Sequence, residues 1–269
     1  MTILDSIMLG IVQGLTELLP VSSSAHLVIA QNALPGFTGP AVLFDAILHL
    51  GTLVSIVFFF RSDIIDIVRA FIPSRKLTLP EGETYSARRG TALHICVGTI
   101  ITGIIGFLFR DTIHILFNSV KVAASMLLVT GLLLFLTKKA QQAGRKEGSM
   151  NIADSVIIGL VQGLALIPGI SRSGSTIAFG IFRGLDREVA AKFSFLLSIP
   201  AVLGAVALEW ISTPTVTRGE IAIYITGFLT SALIGFLSLR LLWAILKRNG
   251  LRIFAYYCWT VGVVVLILS

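Results

Sequence analysis

Residues 13–26 read Gln13-Gly14-Leu15-Thr16-Glu17-Leu18-Leu19-Pro20-Val21-Ser22-Ser23-Ser24-Ala25-His26, and residues 168–176 read Pro168-Gly169-Ile170-Ser171-Arg172-Ser173-Gly174-Ser175-Thr176. Each run lies inside a longer apolar stretch, 3–33 and 152–182, and interrupts it with proline and serine. Neither half of either stretch is long enough to cross about 30 Å of hydrocarbon. Irregular backbone at membrane depth is tolerated only where protein buries it or a wet cavity adjoins it. Both stretches are therefore expected to be re-entrant hairpins of two half-helices.

The rest of the chain supports a membrane setting. Of 269 residues, 55% are apolar and 13% charged, against about 25% charged in soluble domains. Apolar runs at 41–60, 91–109, 122–137, 189–210, 221–242 and 253–268 are read as spans. The expected fold is an all-α integral membrane protein, with six transmembrane helices plus two re-entrant helical hairpins in a single membrane domain. The net charge is +7, but the basic residues sit between apolar runs. They read as topology signals and contacts to anionic membrane lipids, not as a nucleic-acid surface. Segments 61–90, 138–150, 183–192 and 240–252 hold 17 of the 21 Lys and Arg. Six spans, with each hairpin returning to its side of entry, place all four of these segments in the cytoplasm. Reading either hairpin as a full span breaks that agreement. Cys96 and Cys258 lie inside apolar runs and suggest neither a disulfide framework nor a zinc site. The first ten residues carry no basic n-region, so no cleavable leader is expected.

The chain repeats itself. Residues 10–15 align with 159–164 at an offset of 149, which puts Ser22 and Ser24 on Ser171 and Ser173, and Arg172 on Ser23. The expected topology gives the copies, about 1–137 and 151–269, opposite orientations. Inverted repeats with broken helices are known from transporters, with the site at the repeat interface.

The polar residues at the breaks suggest chemistry. Gln13 and Glu17 share a helix face, and a carboxylate in so apolar a segment is a functional candidate. Pro20 ends the first half-helix, and Ser22 suits the N-cap of the second. A helix N-terminus binds phosphate through its free amides. Ser23 is expected at that end, with His26 on the same face within reach of either Ser23 or the phosphate bound there, a hydroxyl beside a base. Opposite, Ser171 suits an N-cap, and Arg172 brings a planar cation matched to phosphate oxygens. Ser22, Ser24, Ser171, Ser173, Gly174, Thr176 and Gln13 are candidates for substrate binding. Glu17, Ser23, His26 and Arg172 are the catalytic candidates. Asp45 and His49 share a face and read as partners supporting the site residues from behind, as extra metal ligands, or as a polar pair lining a wet entrance. Asp154 and Glu188 read as ordinary interfacial charges. No metal motif of fixed spacing is present. A Mg²⁺ or Ca²⁺ ion would be held by Glu17 and substrate phosphates.

Gln13-x-x-x-Glu17 followed by 20–26 (Pro-Val-Ser-Ser-Ser-Ala-His), together with 168–176, resembles the undecaprenyl-diphosphate phosphatase (bacitracin-resistance) family over essentially the whole chain. The resemblance implies hydrolysis of a polyprenyl diphosphate to the monophosphate plus phosphate at the outer side of the plasma membrane, with a divalent cation. It also implies recycling of the lipid carrier for cell-wall glycans, and bacitracin resistance. The family's acidic pattern falls on Gln13 and Glu17, its serine on Ser23, its histidine on His26 and its arginine on Arg172. Gln13 stands where some members have Glu, and Ala25 where glycine is common. A transporter or flippase of the same lipid is the alternative. The acid-phosphatase-like lipid family is excluded, because no Pro-Ser-Gly-His occurs and no His follows His114. A non-catalytic scaffold leaves unexplained why Glu17, His26 and Arg172 all sit at breaks. A homodimer is left open.

Overall fold

The structure, a computed structural model, describes residues 1–34, 41–71, 85–117, 119–138, 144–212, 220–248 and 250–269. Arg75, Lys76, Lys139 and Arg218, which belong to the charge pattern read as topology signals, lie outside the described residues. Every regular element among those described is helical: α1 Ile3–Leu18, α2 Ser23–Ala33, α3 Ala41–Phe59, α4 Arg61–Arg69, α5 Tyr85–Leu108, α6 Arg110–Phe117, α7 Val120–Leu136, a 3₁₀ turn Glu147–Ser149, α8 Ile152–Leu164, α9 Arg172–Phe182, α10 Arg187–Ser212, α11 Ile221–Lys247 and α12 Arg252–Leu268. Segments 61–69 and 110–117, expected as parts of connections, are short helices. The first bends by 71° from α3.

Among the described residues, three helices are long and apolar enough to cross a membrane, and up to five if each bent pair is one span. Phe107, Ile211 and Leu268 expose 80%, 82% and 81% of their surface, as expected of helices that face lipid. Inside, Phe60 stacks on Phe195 with ring centroids 6.0 Å apart, and Trp243 closes edge-on at 5.6 Å.

The helix breaks follow from local chemistry. Pro20 disfavours helical backbone at the residue before it, and Leu19 is extended (φ −76°, ψ 146°). The second break turns at Gly169, whose φ of +97° suits only glycine. A Cβ there would lie 2.6 Å from that of Met126.

The repeated glycines mark where helices cross. Gly10 and Gly14 press against Gly227 and Gly235 of α11, and Gly159 lies against the backbone of Gly98 on α5. Small residues let helix backbones approach closely in lipid. So α1 packs on α11, and α8 packs on α5. Both helices start with a capping box. Thr2 and Asp5 bond each other's backbone amides at 2.7 and 3.2 Å, and Asn151 and Asp154 do so at 3.0 Å each.

Asp154 is not the ordinary interfacial charge expected. It is fully buried and ion-paired to Arg145 and Arg183, each at 2.8 Å. A short parallel bridge between Arg145 and Leu185 folds both arginines over the start of α8.

Candidate active site

Glu17, at the end of α1, is the hub. Its Oε1 accepts from Arg172 Nη2 at 2.5 Å. Its Oε2 accepts from the Ser23 hydroxyl and from Gln13 Nε2, the latter at 3.3 Å, and lies 3.4 Å from His49 Nε2. All of this is nearly enclosed: Gln13 is fully buried, and Glu17 and Ser23 are 8% and 7% exposed. A buried carboxylate needs charged partners and full hydrogen bonding, and this one has four groups on two oxygens. Arg172 brings only one arm to it. Its Nη1 is buried with no partner, as is Gln13 Oε1.

The two breaks meet directly. Ser173 Oγ lies 3.4 Å from the carbonyls of Glu17 and Leu19, and the Gly169 amide lies 3.4 Å from Ser24 Oγ. At the second break, Ser171 caps α9 as expected, accepting from the Gly174 amide at 3.1 Å. Gly174 also leaves room for Pro20, whose Cβ would be 3.2 Å from an added methyl.

The aligned Ser22 departs from expectation. It occupies the N-cap position of α2 but does not cap it. Its φ is +68°, a strained value for serine, and its hydroxyl turns to Ser24 at 3.1 Å. The amides at the start of α2 thus have no side-chain cap.

The expected Ser23–His26 pairing is also absent. His26 Nδ1 bonds the Ser22 carbonyl at 2.8 Å and Nε2 bonds the Tyr257 hydroxyl at 2.9 Å, while Ser23 is held by Glu17. The turn at Ser22 swings its carbonyl under the imidazole and draws the ring away. Thr176 points away from the centre as well. Its hydroxyl bonds the Arg172 carbonyl at 2.6 Å and Ser194 of α10 at 2.5 Å.

Three residues outside the catalytic and substrate-binding candidates hold the site. His49, read as a supporting partner, an extra ligand or half of a polar pair, reaches Glu17 from α3, with its Nδ1 on the Asp45 carbonyl at 2.7 Å. Asp45 itself accepts from Gln31 at 2.7 Å. Thr130 of α7 bonds the Gly169 carbonyl at 2.8 Å and the Ser171 amide at 2.9 Å, tying down the second break. Tyr257 comes from the last helix. Only the four-residue spacing of Asp45 and His49 hinted at any of the three.

The fold and this centre define a helical membrane protein whose buried carboxylate, hydroxyl and guanidinium converge where two broken helices touch. The family described as bacitracin resistance protein BacA matches residues 6–264. A protein of Alkaliphilus metalliredigens named undecaprenyl-diphosphatase is 45% identical over 274 residues, 100% of this chain and 99% of that protein. Relatives of the same name from Methanosphaera stadtmanae and Syntrophotalea carbinolica are 43% and 42% identical, covering 99% and 97% of this chain and 98% and 97% of their own. The chain belongs to the BacA bacitracin resistance family.

Proposed function

We propose that this chain is an undecaprenyl-diphosphate phosphatase, releasing phosphate from the diphosphate to leave the monophosphate carrier for cell-wall glycan synthesis. Bacitracin resistance follows from a smaller pool of diphosphate carrier. The observation that carries the reading is the buried meeting of Glu17, Ser23 and Arg172, with one guanidinium arm still unpartnered.

Phosphoryl transfer depends on positioning and charge stabilisation more than on covalent help from the protein. Arg172 Nη1 and the uncapped amides of α2 bind the terminal phosphoryl group. Ser23 Oγ, aimed by Glu17, attacks phosphorus as the anhydride bond to the lipid monophosphate breaks. The hydroxyl proton passes along the existing hydrogen bond to Glu17. Water then hydrolyses the phosphoserine: His26 takes the water's proton, Glu17 returns its own to Ser23 Oγ as the phosphoserine bond breaks, and His26 passes its proton to the departing phosphate. His26 was expected to activate Ser23; the contact between Ser23 and Glu17 supports giving that task to Glu17 instead.

A divalent cation suits the donors at hand. Gln13 Oε1 is a buried, orphaned oxygen beside the Glu17 carboxylate, and hard cations take amide and carboxylate oxygens together with phosphate. Bound there, Mg²⁺ or Ca²⁺ would neutralise diphosphate charge.

The same reading places the chain in the plasma membrane with the site facing outward. It has six spans (α3, α5, α7, α10, α11 and α12) and two re-entrant hairpins (α1–α2 and α8–α9), in inverted repeats at about 1–137 and 151–269. Its support is the exchanged packing of α1 on α11 and α8 on α5, and the capping boxes at matching offsets.

The test is phosphate release from a C55 or C15 prenyl diphosphate in detergent, with and without Mg²⁺, beside Ser23→Ala. Metal-dependent release, lost by at least about a hundredfold in the variant, is expected. A variant that keeps most of its turnover at saturating substrate means water attacks directly. A folded wild type that binds the lipid and releases no phosphate overturns the enzyme reading in favour of lipid transport.

A further inference from the structure

His26 and Tyr257 lie 231 residues apart, yet they share a hydrogen bond and a stacking contact. Nε2 is 2.9 Å from the phenol oxygen, and the rings lie 5.6 Å apart at an interplanar angle of 11°. The neighbouring Cys258 rests its sulfur 3.9 Å from the Pro20 carbonyl. Two consecutive residues of α12 thus brace the first break.

The contacts fix the state of the imidazole. A backbone carbonyl only accepts, so the 2.8 Å bond to Ser22 O puts a proton on Nδ1. Nε2 then carries the lone pair and accepts from the Tyr257 hydroxyl. This is the tautomer a base needs if it is to work through Nε2, and a second group usually enforces such a choice. The identity of the partner matters too. A carboxylate only accepts and an ammonium only donates, but a hydroxyl does either. When Nε2 gains a proton, it donates to the phenol oxygen, and the ring need not move.

We propose that Tyr257 is a positioning residue for His26, holding the imidazole in its Nδ1–H form and keeping it in place through both protonation states. This rests on the part assigned to His26 in the phosphatase reading above. Ser22 completes the device: its φ of +68° aims the carbonyl that fixes the other nitrogen.

The experiment is a double-mutant cycle on purified enzyme, with Tyr257→Phe, His26→Ala and the pair. Tyr257→Phe keeps the stacking ring and removes only the hydroxyl. It should lower kcat roughly ten- to a hundredfold, in line with the cost of a misaligned catalytic group, and leave KM within about twofold. In the His26→Ala background the same change should have no further effect. An equal loss in both backgrounds, or unchanged kcat in Tyr257→Phe, overturns the proposal while leaving His26 its role. Full activity in His26→Ala sinks the role of His26 and the proposal with it. The ¹⁵N shifts of the ring give a readout independent of turnover: they should report Nδ1–H in the wild type and a mixture of tautomers in Tyr257→Phe. An Nε2–H ring in the wild type also overturns the proposal.

Discussion

At the scale of single residues, the centre is a problem in buried charge. The Glu17 carboxylate sits in an apolar segment with Arg172 at 2.5 Å on one oxygen and His49, Gln13 and Ser23 around the other. Removing one partner of a buried pair leaves the other uncompensated, whereas removing both is often nearly neutral. Arg172→Ala is therefore expected to cost about 3 kcal/mol of stability, and Glu17→Gln combined with Arg172→Met to recover most of it. Thermal unfolding in detergent checks this; additive losses would mean that the pair is not coupled. Both variants should be inactive. Glu17, Ser23 and Arg172 were legible in the sequence because a charge or hydroxyl at a proline break in an apolar run is costly to keep unless a site uses it. The role of Tyr257 was not, since it depends on where a distant helix lies, and that of His49 was only one of three readings open to it. The Ser23–His26 pairing failed because a spacing of three residues presumes regular helix from its first turn, and Ser22 departs from it.

At the scale of elements, the breaks are held open by partners on other helices. Thr130 of α7 is the clearest, donating to the Gly169 carbonyl and accepting from the Ser171 amide. Thr130→Val keeps the volume and removes both bonds. Each buried group left unsatisfied costs about 1–3 kcal/mol, so the variant should melt earlier and lose turnover, with Arg172 less firmly aimed. Wild-type stability and turnover would show that Gly169 and the Ser171 cap suffice. Ser171 and Ser22 show where local sequence stops deciding structure. Both occupy N-cap positions in aligned sequence, and the same cap is expected of each. One caps and the other turns to φ +68°, because a cap preference is local while the first break is also shaped by contacts with α12 and α9. Helix ends elsewhere agreed with the apolar runs to within several residues. The short helices 61–69 and 110–117 escaped because, being polar or brief, they carry no span signal.

At the scale of the whole molecule, membrane orientation decides whether the site meets a lipid diphosphate from outside. The basic residues are distributed unevenly, with 17 of 21 in four segments that the six-span arrangement puts on one side, and positive charge is retained in the cytoplasm. The proposed topology puts the 3₁₀ turn Glu147–Ser149 and the arginines folded over Asp154 on that side and the end of α2 on the other. Single cysteines test this directly once Cys96 and Cys258 are replaced by alanine: one at exposed Lys146 and one at exposed Ala33. In intact cells a membrane-impermeant maleimide should label the Ala33→Cys variant and spare Lys146→Cys until the membrane is permeabilised. Labelling of both from outside would mean that one of the three spans proposed between them, α3, α5 or α7, does not cross. The reverse pattern would turn the Glu17 centre toward the cytoplasm, where it could not regenerate carrier released at the outer face without a lipid-crossing step first.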